Sequence, residues 1–267
     1  MNAAGARFTG HGHAPHGHYG IDAPLIPLSY ALGAVVALVV AAFAVARGWG
    51  ASLWTPLAIC LALLVCAALF LHASLRGKRR AWRQQLDELD LQPGCRVLDL
   101  GCGRGAVLMA LAHRIAPPGR AVGVDLWHNI DQFGNAPAAA EHNAEVEGVE
   151  DRVQLCTGDI TALPFADDSF DLIVSSLAIH NIAAPQDRTT AVREAVRVLR
   201  PGGTLAIMDL SFARRYLDAL RDPPMRDLRV RDLGWHMWWT GPWMRTWLAT
   251  ATKAESEQVP GGGSQVA

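Results

Sequence analysis

Charge is scarce in this sequence of 267 residues. Only 18% of residues are charged, below the roughly 25% of an ordinary soluble domain, and 24 Lys and Arg nearly cancel 25 Asp and Glu. So even a balance lacks the basic excess that nucleic-acid binding requires. With 51% hydrophobic residues, a disordered or polyelectrolyte chain is excluded as well. Paired cysteines are also missing. Cys60, Cys66, Cys95, Cys102 and Cys156 form no CxxC pair and are odd in number, which argues against a disulfide framework and a cysteine zinc site and fits a reducing compartment. They read as small buried hydrophobes.

Apolar sequence is abundant, and it is unevenly placed. Residues 23–46 and 48–75 carry no charged side chain, and each stretch exceeds the roughly 20 residues that span a hydrocarbon core. Arg47 alone separates them, beside Gly48, Trp49 and Gly50. Residues 23–75 therefore read as a transmembrane helical hairpin, with Pro27 and Pro56 near helix starts and Trp49 and Trp54 at interfacial positions. A signal peptide would have a shorter apolar region and a small-residue cleavage site. A buried soluble hairpin would show a polar stripe. Arg76, Lys78, Arg79, Arg80 and Arg83 follow the second span, so the positive-inside rule predicts an integral membrane protein with two spans and both flanking segments cytoplasmic. The same cluster suits anionic headgroups. Residues 1–22, with His11, His13, His16 and His18, read as a flexible tail. Its imidazoles could capture a metal, but nothing nearby would order them, and no metal site is assigned. Residues 255–267 read as a second flexible tail.

Residues 76–254 read as one domain, in which the stretch from about 82 to 252 alternates short β-branched runs with helix-like segments. Strands are expected over 96–100, 121–125, 153–156, 172–175 and 204–208, and helices over 106–115, 136–147 and 189–199. This pattern predicts an α/β domain whose parallel sheet carries helices on both faces. Two further strands, near 227–232 and 245–252, have no helical segment between them and read as a hairpin closing the sheet's edge.

The strongest chemical signal is Val97-Leu98-Asp99-Leu100-Gly101-Cys102-Gly103-Arg104-Gly105, a strand entering a glycine turn ahead of a helix. Glycines let the backbone turn sharply and approach a ligand closely. Taken alone this also satisfies a dinucleotide fingerprint, with Asp125 at a suitable distance for a ribose. Three features favour a different ligand: Asp99 two residues before the first glycine, Gly158-Asp159-Ile160 after the third strand, and Leu199-Arg200-Pro201-Gly202-Gly203 before the fifth.

With these motifs, residues 82–252 resemble the class I S-adenosylmethionine-dependent methyltransferases. The stretch Leu163-Pro164-Phe165-Ala166-Asp167-Asp168-Ser169-Phe170-Asp171 is similar to the branch of ubiquinone and menaquinone C-methyltransferases. The resemblance implies a Rossmann-like seven-stranded sheet of order 3-2-1-4-5-7-6 with the seventh strand antiparallel. It implies S-adenosyl-L-methionine as cofactor, with Gly101, Cys102, Gly103 and Gly105 lining the methionine end and Asp99 facing its ammonium. Asp125 would take the ribose hydroxyls, Leu126 and Trp127 would flank the adenine, and Asp159 with Ile160 would read its edge. Ser176, His180 and Asn181 follow strand four and are the candidate catalytic residues. Ser176 would also touch the cofactor, and His180 is the candidate base, because imidazole can exchange a proton near neutral pH.

Residues 125–135 depart from the quinone enzymes and read as a lid, an acceptor contact or a structured turn. Trp235, Trp238, Trp239, Trp243 and Trp247 read as aromatic packing with partial pocket lining, or as a patch facing the bilayer. The expected function is a membrane-anchored methyltransferase acting on a small lipophilic or membrane-partitioning acceptor, such as a lipid or quinone-like molecule. The alternatives are a non-catalytic S-adenosylmethionine-binding or sensing module of a membrane complex and a dinucleotide oxidoreductase.

Overall fold

Short aliphatic runs between glycine turns form the centre of the molecule. The computed structural model describes residues 17–50, 53–89, 91–128, 132–210, 216, 219–220 and 225–255. Strands β1 (Arg96–Leu100), β2 (Arg120–Asp125), β3 (Val153–Thr157), β4 (Phe170–Ser176) and β5 (Leu199–Asp209) run parallel. Strand β7 (Trp247–Lys253) lies antiparallel between β5 and β6 (Met225–Asp232). The order is β3-β2-β1-β4-β5-β7-β6, the one the family resemblance implies.

Four of the five β1 residues are buried, as expected of a parallel strand covered on both faces. Successive side chains enter opposite cores. Val97 shares one core with Leu108, Met109 and Leu111 of α4 (Ala106–Ala112), and Leu98 shares the other with Val192, Ala195 and Val196 of α6 (Pro185–Val198). Helix α5 (Pro137–Glu147) adds Ala144 to the first core.

Some boundaries differ from expectation. Helix α6 starts at Pro185, whose fixed φ suits the first helical turn, and α4 ends at Ala112. The Arg-Pro-Gly-Gly segment lies within β5. Leu199 pairs with Phe170 and Thr204 with Leu172, so residues 200–203 bulge opposite Asp171. The β6–β7 connection carries one 3₁₀ turn, Trp235–Met237, where no helical segment was expected.

Helices α1 (Leu25–Ala46) and α2 (Trp54–His72) pair through Ala34, Ala37, Cys60 and Leu63. Small residues at such a seam let backbones approach closely. Their outer faces leave Leu32, Val36, Val39 and Phe43 of α1 and Leu61 of α2 more than half exposed. Both helices are long and apolar enough to cross a membrane. The second does not end at residue 75. It continues through a π-helical turn, Ala73–Gly77, into α3 (Lys78–Glu88), making one helix from Trp54 to Glu88. A Cβ on Gly77 would collide with the His236 carbonyl oxygen, so glycine there lets the β6–β7 connection close on the helix.

The segment preceding α1 lies against the domain from Gly17 onward. The Gly17 N–H and the Tyr19 hydroxyl donate to the Glu147 carboxylate, at 3.0 and 2.8 Å, and the His18 N–H donates to Asn143 Oδ1 at 2.9 Å. Asp22 pairs with Lys78 at 2.7 Å and accepts from the Ser74 hydroxyl at 2.8 Å. His11, His13 and His16 lie outside the described residues. All five cysteines are free thiols.

Candidate active site

A cavity of about 500 Å³ lies over the C-terminal ends of the central strands, where open α/β sheets carry their ligands. Gly101, Cys102 and Gly103 line it from the turn after β1. Gly101 adopts φ +69°, and a Cβ there would meet Ala178, so the turn and the β4 loop can close together only around glycine. Gly105 and Trp127 are not among the lining residues. Gly105 starts α4 in a left-handed conformation, and the Trp127 indole N–H donates to the Thr157 hydroxyl at 2.8 Å. Burial pushes the Cys102 thiol well above its ordinary range, which keeps it protonated rather than nucleophilic.

The amide groups of the glycine turn are already used. Gly101 and Cys102 N–H donate to the Val124 carbonyl, Gly103 N–H to Asp125 Oδ2 at 2.8 Å, and Arg104 N–H to Gln132 Oε1 at 3.1 Å. A dinucleotide pyrophosphate needs such donors turned toward it. Here the donors point inward and carboxylates border the same space, an arrangement that favours a cation and disfavours a phosphate.

Asp99 is the most telling of these carboxylates. It is 1% exposed, and neither oxygen has a hydrogen-bond partner among the described residues. Burial first, and the neighbouring Asp125 charge second, push it up to about 7. A buried carboxylate without partners costs free energy until a donor or cation reaches it. Asp125, ending β2, is the opposite case. It accepts from the Trp127 N–H at 2.6 Å, the Asn135 amide at 3.1 Å and the Gly103 N–H. Three of a carboxylate's roughly four acceptor positions are thus filled, which fixes its orientation and leaves capacity at Oδ2. Asp159 accepts from the Thr161 N–H at 2.8 Å and, with Ile160 and Leu126, lines the cavity.

On the far side of β1, Ser176, His180 and Asn181 all line the cavity. Ser176 accepts from the Trp82 indole N–H of α3 at 2.8 Å. His180 Nδ1 lies 2.5 Å from Asp209 Oδ1. Asp209, fully buried at the end of β5, also accepts from the His180 and Leu210 N–H groups and from the Tyr216 hydroxyl, at 3.1, 2.8 and 2.8 Å. Burial, then the Asp209 charge, pushes the Tyr216 hydroxyl upward, so it remains a donor. With Nδ1–H donating to Asp209, the lone pair of neutral His180 sits on Nε2, the arrangement of a general base held by an orienting carboxylate. Leu177, beside this loop, and Trp127, beside Asp125, have positive φ of 58° and 60°. Strain of this kind collects around ligand sites.

Sequence reasoning missed Asp209, because nothing local marks an aspartate at a strand end as the partner of a histidine 29 residues away. It also missed the wall built from the hairpin's base, where Asp22, Ile26, Phe70 and Lys78 line the cavity. Of the tryptophan cluster expected to line the pocket in part, Trp239 does so from the β6–β7 connection, together with Met244. Gln132 joins two walls. It accepts from Arg104 and donates to the Tyr19 carbonyl at 2.7 Å. Among the described residues no group of three His, Cys, Asp or Glu side chains could hold a metal ion.

Sheet order, glycine turn and carboxylates coincide with a sequence family. Residues 98–207 match the methyltransferase domain family. This segment is similar to methyltransferase domains.

The chain is 38% identical over 131 residues to methyltransferase GfsG of Streptomyces halstedii, covering 49% of this chain and 43% of that protein. It is 34% identical over 138 residues to the demethylmenaquinone methyltransferase of Lactiplantibacillus plantarum, covering 51% of this chain and 54% of that protein. The chain therefore spans about half the length of the curated relatives it matches. Among solved structures, the [4+2]-cyclase SpnF shares the fold with a TM-score of 0.55 at 21% identity, over 67% of this chain and 81% of that one. A cyclase on the same fold shows why the reaction must be argued from the site.

Proposed function

We propose that this protein is a membrane-anchored, S-adenosylmethionine-dependent methyltransferase whose catalytic domain faces the cytoplasm and whose acceptor is a small lipophilic molecule. One observation carries the reading: a fully buried carboxylate, Asp99, without a partner, beside a glycine turn whose donors are already used. An α-ammonium group supplies the missing partner, and a sulfonium adds a second positive charge in a cavity bordered by Asp99 and Asp125. S-adenosylmethionine has both, and when bound it supplies an electrophilic methyl group. Neither NAD nor NADP offers an ammonium to Asp99.

The remaining roles follow the residues. Asp125 is held to accept a ribose hydroxyl at Oδ2, and a second hydroxyl would compete with Asn135 at Oδ1. Asp159, with the Ile160 backbone, is placed to read the adenine edge. Methyl transfer is an in-line displacement, so the protein's contribution is positioning. His180, oriented by Asp209, would remove the proton from an acidic acceptor atom. Asn181 and Ser176 would orient the acceptor, with Ser176 itself fixed by Trp82.

The anchored, lipophilic part of the reading is supported by the two apolar helices, their outward-facing Leu, Val and Phe side chains and the basic run beginning at Arg76. It is also supported by the apolar cavity wall of Ile26, Phe70, Trp239 and Met244. A quinone-like acceptor is consistent with the demethylmenaquinone relative. Incubating membranes that contain the protein with methyl-labelled S-adenosylmethionine tests the proposal. Label should enter an organic-extractable product, and label found only in a water-soluble product would refute the lipophilic acceptor.

A further inference from the structure

The β6–β7 connection contains no charged side chain from Leu233 to Met244, an unusual composition for a loop. Its two ends are closed by the Arg245–Asp232 ion pair at 3.0 Å. Much of its backbone is paired locally: Trp239 N–H donates to the Met244 carbonyl, Met244 N–H to Gly241 and Thr246 N–H to Met237. The Trp239 indole N–H donates to the Thr246 hydroxyl and that of Trp243 to the Thr240 hydroxyl, each at 2.9 Å, while the Trp238 indole N–H has no partner among the described residues. Local pairing lowers the cost of placing non-helical backbone beside lipid.

The loop also rises along α2. Its Thr240 carbonyl accepts from Cys66 Sγ at 3.5 Å, and the Trp239 ring meets Phe70 edge-on with centroids 4.8 Å apart. Cys66 lies eight residues before Ser74, about 12 Å along a helix. Ser74 belongs to the Asp22–Lys78 cluster, the polar collar at the base of the hairpin. The tip of the loop thus stands beyond that collar, beside the apolar surface, and presents Trp243 at 72% exposure. Arg76 and Arg80, both exposed, flank the collar.

We infer that residues 239–244 form a third membrane contact, seated at the boundary between headgroups and acyl chains, and that the methyl acceptor is a molecule resident in the lipid. The bilayer is the occupant that fits. The patch is continuous with the α1–α2 surface, it is charge-free, both of its indole donors are paired within the loop and its flank is cationic toward anionic headgroups. Trp239 and Met244 turn from this same loop into the cavity, so one element touches both lipid and acceptor space. The inference rests on the membrane-anchored reading above.

The test uses the full chain in vesicles of phosphatidylcholine and phosphatidylglycerol, photolysed with a bilayer-dissolved aryl diazirine and mapped by peptide mass. Adducts are expected in α1, in α2 and within 239–244, at several times the level on Leu228, which is 40% exposed in the middle of edge strand β6. Trp243→Asp should cut the loop adducts at least fivefold while leaving helix adducts and S-adenosylhomocysteine affinity unchanged. Labelled helices with the loop at the Leu228 level would overturn the inference and leave the anchor intact. Unlabelled helices would overturn the anchor, and the inference with it.

Discussion

Changing Asp99 to Asn keeps the shape of the buried side chain and removes its charge. In the protein without ligand, burial and then the Asp125 charge raise this carboxyl from 3.8 to about 7. The unfolded chain ionises it near 3.8, so between those values the folded state holds a proton that the unfolded state has released. Stability therefore falls as pH rises through this window and levels off above about 7. At about 1.4 kcal/mol per decade the full effect is on the order of 4 kcal/mol, a ceiling because a buried site relaxes. Asp99→Asn should lack this slope, matching wild type near pH 4 and exceeding it in melting temperature at pH 8. Ligand binding should respond in the opposite sense. The ionised carboxylate is the form that pairs with an ammonium, so wild-type affinity for S-adenosylhomocysteine should rise from pH 5 to 8. The variant should bind about 1.5–3 kcal/mol more weakly, the worth of a charge-assisted hydrogen bond, with little pH dependence in that range. Thermal melts and calorimetric titrations at several pH values supply both readings. Parallel melting curves, or wild-type affinity in the variant, would refute the assignment of Asp99.

Asp125→Ala removes the acceptor of the Gly103 and Trp127 N–H groups and should weaken cofactor binding by a few kcal/mol. Wild-type affinity in a titration would remove the ribose role. His180→Ala should lower kcat by about 10²–10⁴ with cofactor Kd unchanged, and Asp209→Asn should lower kcat and displace the pH–rate profile. An unaltered profile in Asp209→Asn would reduce Asp209 to a structural role. Phe70→Ala, at a site 2% exposed, should cost about 3–5 kcal/mol in denaturant unfolding and raise the acceptor KM more than that of the cofactor. Equal changes in the two would disconnect the hairpin's base from the acceptor space.

Much of the sheet was legible because each strand is a local statement. Aliphatic runs such as Val97-Leu98 and Val122-Val124 recur between glycine turns, and their two-sided burial is written in composition. The glycine turn and Asp99, Asp125 and Asp159 were legible for a similar reason, since each sits at a strand's end within a few residues of a motif. Trp127 and Gly105 show the limit of that logic. Both neighbour the candidate site in sequence, but the Trp127 indole turns to Thr157 and Gly105 serves the helix start. Contacts across long separations were not legible. The Asp209–His180 pair, the Trp82–Ser176 hydrogen bond and the Asp22–Lys78 cluster join residues 29, 94 and 56 positions apart. The extent of the second helix was not legible either, because hydropathy marks where apolar residues stop, whereas the helix runs on to Glu88.

The central claim is that this cavity grips a cationic adenosyl ligand through the buried Asp99 and the half-buried Asp125. Calorimetric titration of the full chain in lipid nanodiscs with S-adenosylmethionine and, separately, with NADPH addresses it most directly. Saturable binding of the sulfonium compound with no heat from the nicotinamide is the predicted outcome; capture of NADPH by a protein indifferent to S-adenosylmethionine would contradict it.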